Sequence, residues 1–232
     1  MKREVIIACD FDDPVKLFDF LDLFRDKKPF VKIGMELFYG NGPSIVREIK
    51  RRGHKIFLDL KLHDIPNTVH KSMCKLAELN VDMVNVHAAG SVAMMEAAAR
   101  ALKEKNSSAV LLAVTQLTST TEEVMNKELW IDHKMEETVL HYAMNAKKAG
   151  CQGVVCSPLE AGIVKEACGE DFLTVTPGIR FADDDKGDQK RVTTPAKAKE
   201  LGSSYIVVGR SITASADPVA AYERARKEFE ED

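Results

Sequence analysis

The sequence predicts a (β/α)8 barrel, the α/β architecture of TIM barrels, as a single domain over residues 1–232, and three observations carry that expectation. Eight short β-branched apolar runs recur along the chain. Each is followed by a segment with helical periodicity and helix punctuation. The runs are mostly apolar rather than alternating, as in parallel strands covered by helices. An open doubly wound sheet is the alternative, but no Gly-x-Gly-x-x-Gly or Gly-x-x-x-x-Gly-Lys-Ser/Thr element follows the first run.

In chain order, EVIIAC at 4–9 is the first strand, and Asp13-Pro14 then places an acid before a proline, as at a helix start. FVKIGM at 30–35 is the second strand. Gly53 in RRGHKIF stops a helix just before the third, KIFLDLK at 55–61. MVNVH at 83–87 and AVLLAVTQ at 109–116 follow, and Gly150 ends the helix ahead of GVVCS at 153–157. LTVT at 173–176 is the seventh strand. Gly202 precedes the eighth, YIVVG at 205–209, and Asp217-Pro218 opens the last helix. FADDDKGDQKRVTTP, 181–195, is charged and turn-rich, and it reads as a long mobile loop, closing as a lid over about 181–193.

Composition narrows the function. The chain has 45% hydrophobic and 30% charged residues and a net charge of −3, with both signs interspersed. That distribution argues against a nucleic-acid groove or a membrane-surface patch. The apolar stretch in MKREVIIACDFDD is too short for a signal-peptide core, and no run approaches a spanning helix, so a cytoplasmic location is expected. Cys9, Cys74, Cys151, Cys156 and Cys168 are odd in number and scattered, which predicts reduced, buried thiols and no zinc site.

Barrel active sites form at the C-terminal ends of the strands. Those ends carry Asp10, then Asp59 and Lys61, then His87; Thr118 and Ser119 follow strand five, and Ser157 ends strand six. Pro177-Gly178-Ile179-Arg180 follows strand seven, Gly209-Arg210-Ser211 follows strand eight, and Lys32 lies inside strand two. Alone, Ser157 or His87 reads as structural; together the set predicts a shared polar pocket. In LDLKLHDIPNT, alternation sends Leu58, Leu60 and Leu62 toward the helices and Asp59 and Lys61 toward the barrel mouth. Asp64 lies past the strand end, before the helix opened by Pro66-Asn67-Thr68, and need not face its own pocket.

A lysine flanked by carboxylates stays protonated, the reverse of what an imine-forming lysine requires. Such an ammonium can protonate a developing carbanion, and an aspartate beside a substrate carboxylate suits a decarboxylation. A purely structural ion-pair cluster fits the same spacing. VVGRS at 207–211, with Arg210 beside the backbone amides after strand eight, is similar to a barrel phosphate site. Arg180 and Gln189 flank the long loop and can close on the same anion. A phosphorylated small molecule is therefore the expected ligand.

IIACDFD, FVKIGMELFYGNGP, IFLDLKLHDIPNTV, VNVHAAG, VTQLTS, VTPGIR and VVGRSIT occur in this order, and with them the chain resembles the orotidine 5'-phosphate decarboxylase family, in its bacterial form, from end to end. The resemblance implies a cofactor-free and metal-free lyase converting orotidine 5'-monophosphate to uridine 5'-monophosphate, the last step of pyrimidine nucleotide synthesis. It implies Lys61 as proton donor to C6, Asp59 near the departing carboxylate, and Lys32 completing the charge network and touching the ribose. Asp10 is then expected on the ribose hydroxyls and Thr118 on the pyrimidine edge, with Pro177 also in the substrate site. Arg180, Gln189, Gly209 and Arg210 fall to the phosphate. Asp64, Ile65 and Thr68 are similar to a segment lent across a homodimer interface into the partner's site. His87 stays structural. A metal-dependent sugar-phosphate decarboxylase or aldolase shares Asp-x-Lys-x-x-Asp and is the nearest alternative; a non-catalytic nucleotide-binding protein is the more distant one.

Overall fold

In the computed structural model, which describes residues 3–184 and 192–231, eight parallel strands close into a barrel in sequence order, with the last pairing back to the first. The strands are β1 (Glu4–Ala8), β2 (Phe30–Gly34), β3 (Ile56–Leu62), β4 (Met83–His87), β5 (Val110–Val114), β6 (Gly153–Val155), β7 (Leu173–Ile179) and β8 (Tyr205–Val208). The helices are α1 (Pro14–Asp22), α2 (Met35–Asn41), α3 (Pro43–Arg51), α4 (Pro66–Ala77), α5 (Val92–Glu104) and α6 (Glu122–Lys127). They continue as α7 (Met135–Lys148), α8 (Ala161–Cys168), α9 (Pro195–Glu200), α10 (Arg210–Thr213) and α11 (Pro218–Glu230). All eight expected strands are present, and the predicted barrel is the observed one.

Local chemistry explains where the helices begin and end. Asp13 accepts from the Val15 N–H at 2.8 Å and Asp217 from the Ala220 N–H at 2.9 Å, so each acid caps the helix that its proline opens. Gly53, Gly150 and Gly202 all have φ near +90°, a left-handed turn that lets the chain leave α3, α7 and α9 and enter the next strand.

Two apolar layers follow from the strand period of two. One lies inside the barrel, where Ile6, Ala8, Phe30, Phe57, Met83, Leu112, Val175 and Val207 pack against one another. The other lies between barrel and helices, and includes Ile7, Val31, Leu58, Leu60, Val84, Ile206 and the inner faces of the helices. Each fully buried Leu, Ile or Phe in these layers contributes roughly 1.5–3 kcal/mol. The inward alternation continues past the inner layer: Ala8 is followed two residues later by Asp10, Phe30 by Lys32, Phe57 by Asp59 and Met83 by Asn85. Polar groups thus sit on an apolar floor at one end of the barrel.

Two strands depart from even pairing. Leu58 pairs with Val84 and Leu62 with Val86, so four steps along β3 match two along β4. Lys61, inside this bulge, has φ +50°. The sides expected of LDLKL are kept, with Leu58, Leu60 and Leu62 against the helix layer and Asp59 and Lys61 on the cavity, but the pairing is uneven, and the bulge helps to aim the Lys61 side chain. In β7, Thr176 pairs with Ile206 and Ile179 with Val208, three steps against two. Pro177-Gly178-Ile179 belongs to the strand instead of following it, because the bulge, with Gly178 at φ +82°, accommodates a proline that lacks an N–H. Part of the loop expected to act as a lid, residues 185–191, lies outside the described residues. No described helix is long and apolar enough to cross a membrane.

β6 and β7 approach closely at Gly153, where an added Cβ would lie 2.3 Å from the Leu173 carbonyl oxygen and 2.6 Å from the Leu173 Cβ. Gly153→Ala is expected to lower stability by roughly 1–3 kcal/mol as the strands are forced apart. Urea denaturation measures it, and an unchanged midpoint would contradict the close approach.

Candidate active site

A cavity of about 500 Å³ opens at the C-terminal ends of the strands, within the size range of small-molecule sites. Its wall includes Asp10, Lys32, Asp59, Lys61, Thr118, Pro177, Arg180, Gly209 and Arg210, so nine of the residues singled out from sequence converge there. Ser119, also singled out, lines it as well.

Asp59 is the centre of the charged wall. Its Oδ1 lies 2.8 Å from Lys61 Nζ and accepts from Asn85 Nδ2 at 2.7 Å, while Oδ2 lies 3.5 Å from Lys32 Nζ. Lys32 Nζ also donates to Asp10 Oδ1 at 2.8 Å. The result is an alternating chain of charges, Asp10, Lys32, Asp59 and Lys61, drawn from three adjacent strands. The side chains of Asp59 and Lys32 are only 11% and 12% exposed, against 60% for Asp10.

Burial opposes this arrangement and charge sustains it. For Asp59, burial alone pushes the carboxyl's pKa up, but Lys32, Lys61 and the Asn85 amide outweigh it and hold the group below the usual carboxylate range. For Lys32, burial pulls the ammonium's pKa down, and the Asp10 and Asp59 carboxylates reverse that and hold it above the ordinary lysine value. Asp59 stays ionised and Lys32 stays protonated, each because the other is there.

The backbone beneath Lys61 is strained. A left-handed φ at a residue with a side chain costs about 1–2 kcal/mol. Its N–H, turned by that conformation, donates to Asn85 Oδ1 at 2.8 Å. Asn85 escaped the reading of strand ends, which took His87 as the polar end of MVNVH. The available signal was the alternation already applied to LDLKL, which places Asn85, two residues after inward-facing Met83, on the inner face. The same alternation finds Gln116, buried on the cavity wall two residues after Val114.

Other expected residues lie elsewhere. Ser157 caps the short 3-10 helix Pro158–Glu160, accepting from the Leu159 N–H at 3.3 Å, and is fully buried in a structural role. His87 lies outside the cavity wall, its ring 5.5 Å from that of His63, and burial followed by His63 and Lys61 lowers its pKa. Asp64, Ile65 and Thr68 are exposed and are not on the wall of their own cavity; Asp64 Oδ1 accepts the Ile65 N–H at 2.7 Å. Gln189 lies outside the described residues. Of the cysteines, Cys9, Cys151, Cys156 and Cys168 are buried and Cys74 is half-buried, all as free thiols.

Around the long loop, the chain is pinned at both ends. The Arg180 N–H donates to Thr193 O and the Thr193 N–H to Gly178 O, each at 3.0 Å. Asp183 pairs with Arg224 of α11 through two bonds of 2.9 and 3.2 Å, and that guanidinium lies 4.1 Å from the centre of the Phe181 ring. Arg180 is thereby held at the cavity wall by its own backbone.

The charge chain carries a pH signature. Asp59, with its lowered pKa, adds stability that is complete above the unfolded aspartate value of about 3.9 and is lost as pH falls through the folded value. Lys32, with its raised pKa, adds stability that is present below about 10.4 and is lost as pH rises through its folded value. Lys32→Met leaves Asp59 with the same burial and one ammonium fewer, so its pKa rises. Acid unfolding, followed by circular dichroism, is expected to begin at higher pH, with roughly 1–3 kcal/mol less stability at pH 7. An unmoved acid midpoint would contradict the coupling.

Comparison with known proteins places this geometry in a family. A family model described as "Orotidine 5'-phosphate decarboxylase / HUMPS family" matches residues 3–225. A protein of Geobacillus sp. (strain WCH70) named orotidine 5'-phosphate decarboxylase is 55% identical over 233 residues, covering 99% of this chain and 98% of that one. One of the same name from Bacillus cytotoxicus is 53% identical over 234 residues, with 99% of this chain and 98% of the relative covered. Among solved structures, orotidine 5'-phosphate decarboxylase from Lactobacillus acidophilus superposes with a TM-score of 0.87 at 45% identity, over 98% of this chain and 99% of its own. On a match that spans nearly the whole length at this identity, the chain belongs to the orotidine 5'-phosphate decarboxylase / HUMPS family.

Proposed function

We propose that the chain decarboxylates orotidine 5'-monophosphate to uridine 5'-monophosphate and carbon dioxide, with Lys61 delivering a proton to C6. The observation that carries this reading is the Lys61 ammonium, held 2.8 Å from Asp59 at the edge of a cavity whose wall also includes Arg180, Gly209 and Arg210. In a closed ring of eight strands, β3 and β7 stand four strands apart, which separates the ammonium from the Arg180 side of the cavity. A nucleotide gripped there by its phosphate presents its base toward the charged wall.

The chemistry follows from where charge moves. The C6–carboxylate bond breaks, its electron pair remains on C6, and carbon dioxide leaves. One ammonium proton of Lys61 passes to C6, and the amine regains a proton from solvent. As negative charge shifts from the carboxylate to C6, the fixed ammonium stabilises the transition state more than the ground state. Lys32, joined to Asp10 and Asp59, orders the ribose side, Asp10 takes ribose hydroxyls, and Thr118 meets the pyrimidine edge. Arg180, Arg210 and the Gly209 backbone take the phosphate, with Gln189 closing from the loop. Phosphate binding remote from C6 supplies energy for organising the site.

The metal-dependent alternative is less well supported by the same geometry. Both Asp59 oxygens already face ammonium groups, which leaves that carboxylate poorly disposed toward a divalent cation. We further infer a homodimer in which Asp64, Ile65 and Thr68 enter the partner's site, supported by their exposure beside the mouth but off their own cavity wall. The enzyme then acts in the cytoplasm, at the last step of pyrimidine nucleotide synthesis, without a cofactor.

The ultraviolet change of orotidine 5'-monophosphate, followed with chelator present, tests the reaction. Turnover is expected to persist with chelator and to fall by roughly 10²–10⁴-fold or more in Lys61→Ala. Loss of turnover on chelation, or an active Lys61→Ala protein, would sink the reading. Mixed dimers of Lys61→Ala and Asp64→Ala are expected to regain part of the lost activity, since one of the two shared sites is then intact. No recovery despite demonstrated subunit exchange would refute the lent segment.

A further inference from the structure

We propose that Asn85 is the positioning residue of the proton-delivery pair, holding Lys61 at both ends through one buried amide. Asn85 is 1% exposed and lies off the cavity wall, so it acts through other residues. Its Oδ1 accepts the Lys61 backbone N–H at 2.8 Å, and its Nδ2 donates to Asp59 Oδ1 at 2.7 Å. The same Asp59 oxygen lies 2.8 Å from Lys61 Nζ. A closed ring results: Lys61 backbone to Asn85, Asn85 to Asp59, and Asp59 back to the Lys61 ammonium.

Chemistry fixes the direction of the amide. The Lys61 N–H can only donate and an ionised carboxylate can only accept, so the oxygen must face Lys61 and the nitrogen must face Asp59. No other side chain of this size serves both. Aspartate there can accept from Lys61 but sets a second negative charge against Asp59; valine or leucine leaves both partners unbonded in a buried place.

The β3 bulge makes this clamp necessary. Four steps of β3 against two of β4 carry the Lys61 N–H out of the regular ladder and place Lys61 at positive φ. A lysine on a strained backbone, with several rotatable bonds in its side chain, has no intrinsic reason to keep its ammonium at one point. Asn85 removes that freedom by tying the backbone to the same carboxylate that holds the tip. The groups facing Asp59 are Lys32 from β2, with Asp10, just past the end of β1, behind it, Lys61 from β3, and Asn85 and His87 from β4.

This inference rests on the proposed decarboxylation, and its test separates the two. Steady-state kinetics with orotidine 5'-monophosphate on the full-length protein compare wild type, Asn85→Ala and Asn85→Asp, each checked by thermal unfolding. Asn85→Ala is expected to lose about 10²-fold in kcat, the order that a misplacement of 1 Å costs, with KM changed only a few-fold because the phosphate and ribose contacts are untouched. Asn85→Asp keeps the Lys61 bond and is expected to move the acid limb of the kcat/KM profile to higher pH, since a like charge beside Asp59 favours its protonated form.

A readout without substrate makes the inference independent of the reaction. Lys61 Hε proton shifts are expected to be inequivalent in wild type and to converge in Asn85→Ala, and the Asp59 carboxyl carbon is expected to titrate at higher pH in Asn85→Asp. A wild type that does not turn over the nucleotide overturns the proposed function, while these spectra still decide the clamp. Unchanged kcat, or kcat falling only with the folded fraction while the pH profile and Lys61 signals stay put, overturns the positioning role. If Asn85→Ala does not fold, Asn85→Asp carries the test; failure of both to fold would assign Asn85 to the scaffold alone.

Discussion

The site depends on one constraint: a buried carboxylate, Asp59, must remain charged at the end of an apolar barrel. Burying a lone carboxylate costs several kcal/mol, and the ordinary escape is protonation. Here the escape is closed by two ammonium groups and an amide drawn from β2, β3 and β4. Removing water strengthens each of these attractions while raising the penalty for losing any one of them. The network is therefore balanced but not slack, and its balance depends on strands whose relative heights are set by packing.

Those heights come from the barrel's inner layer. Phe57 and Met83 pair across β3 and β4 on the floor, and the strand period then delivers Asp59 and Asn85 two residues higher, while Lys32 stands opposite Phe57 and reaches up to Asp59. Register links β2 to β3 through Gly34 and Asp59, so the charged groups meet because apolar groups below them interdigitate. The β3 bulge adds the one irregular step. It pushes Lys61 beyond the ladder, toward the cavity, at the cost of a strained backbone torsion that Asn85 accommodates.

On the other side of the cavity, the second bulge has a similar consequence. Pro177 and Gly178 interrupt β7, and the bridge from Ile179 to Thr193 ties together the two ends of the long loop. Arg180 leaves from that knot, and Arg224 holds the loop's first turn onto α11 through Asp183 and Phe181. Both bulges thus occur where a cationic side chain must be delivered to the cavity from the end of a strand. Regular ladders build the floor, and irregular ones aim Lys61 and Arg180.

Much of this was legible in the chain. Eight β-branched runs, the prolines at N1 of α1 and α11 and the glycines after α3, α7 and α9 determined strands, helices and barrel, because they act through local sterics and hydrogen bonds that need no distant partner. Strand-end position brought Asp10, Asp59, Lys61, Thr118, Arg180 and Arg210 to one cavity, and Lys32 joins them from inside β2. Three things waited for the tertiary structure: the left-handed torsion at Lys61, the continuation of β7 through Pro177, and the part played by Asn85. Each depends on register between neighbouring strands, a property of two segments fitted together, and no pattern within one segment encodes it. The same reason separates Ser157 from the site: its polarity was visible in the chain, but only the fold decided that its hydroxyl caps a helix instead of facing a ligand.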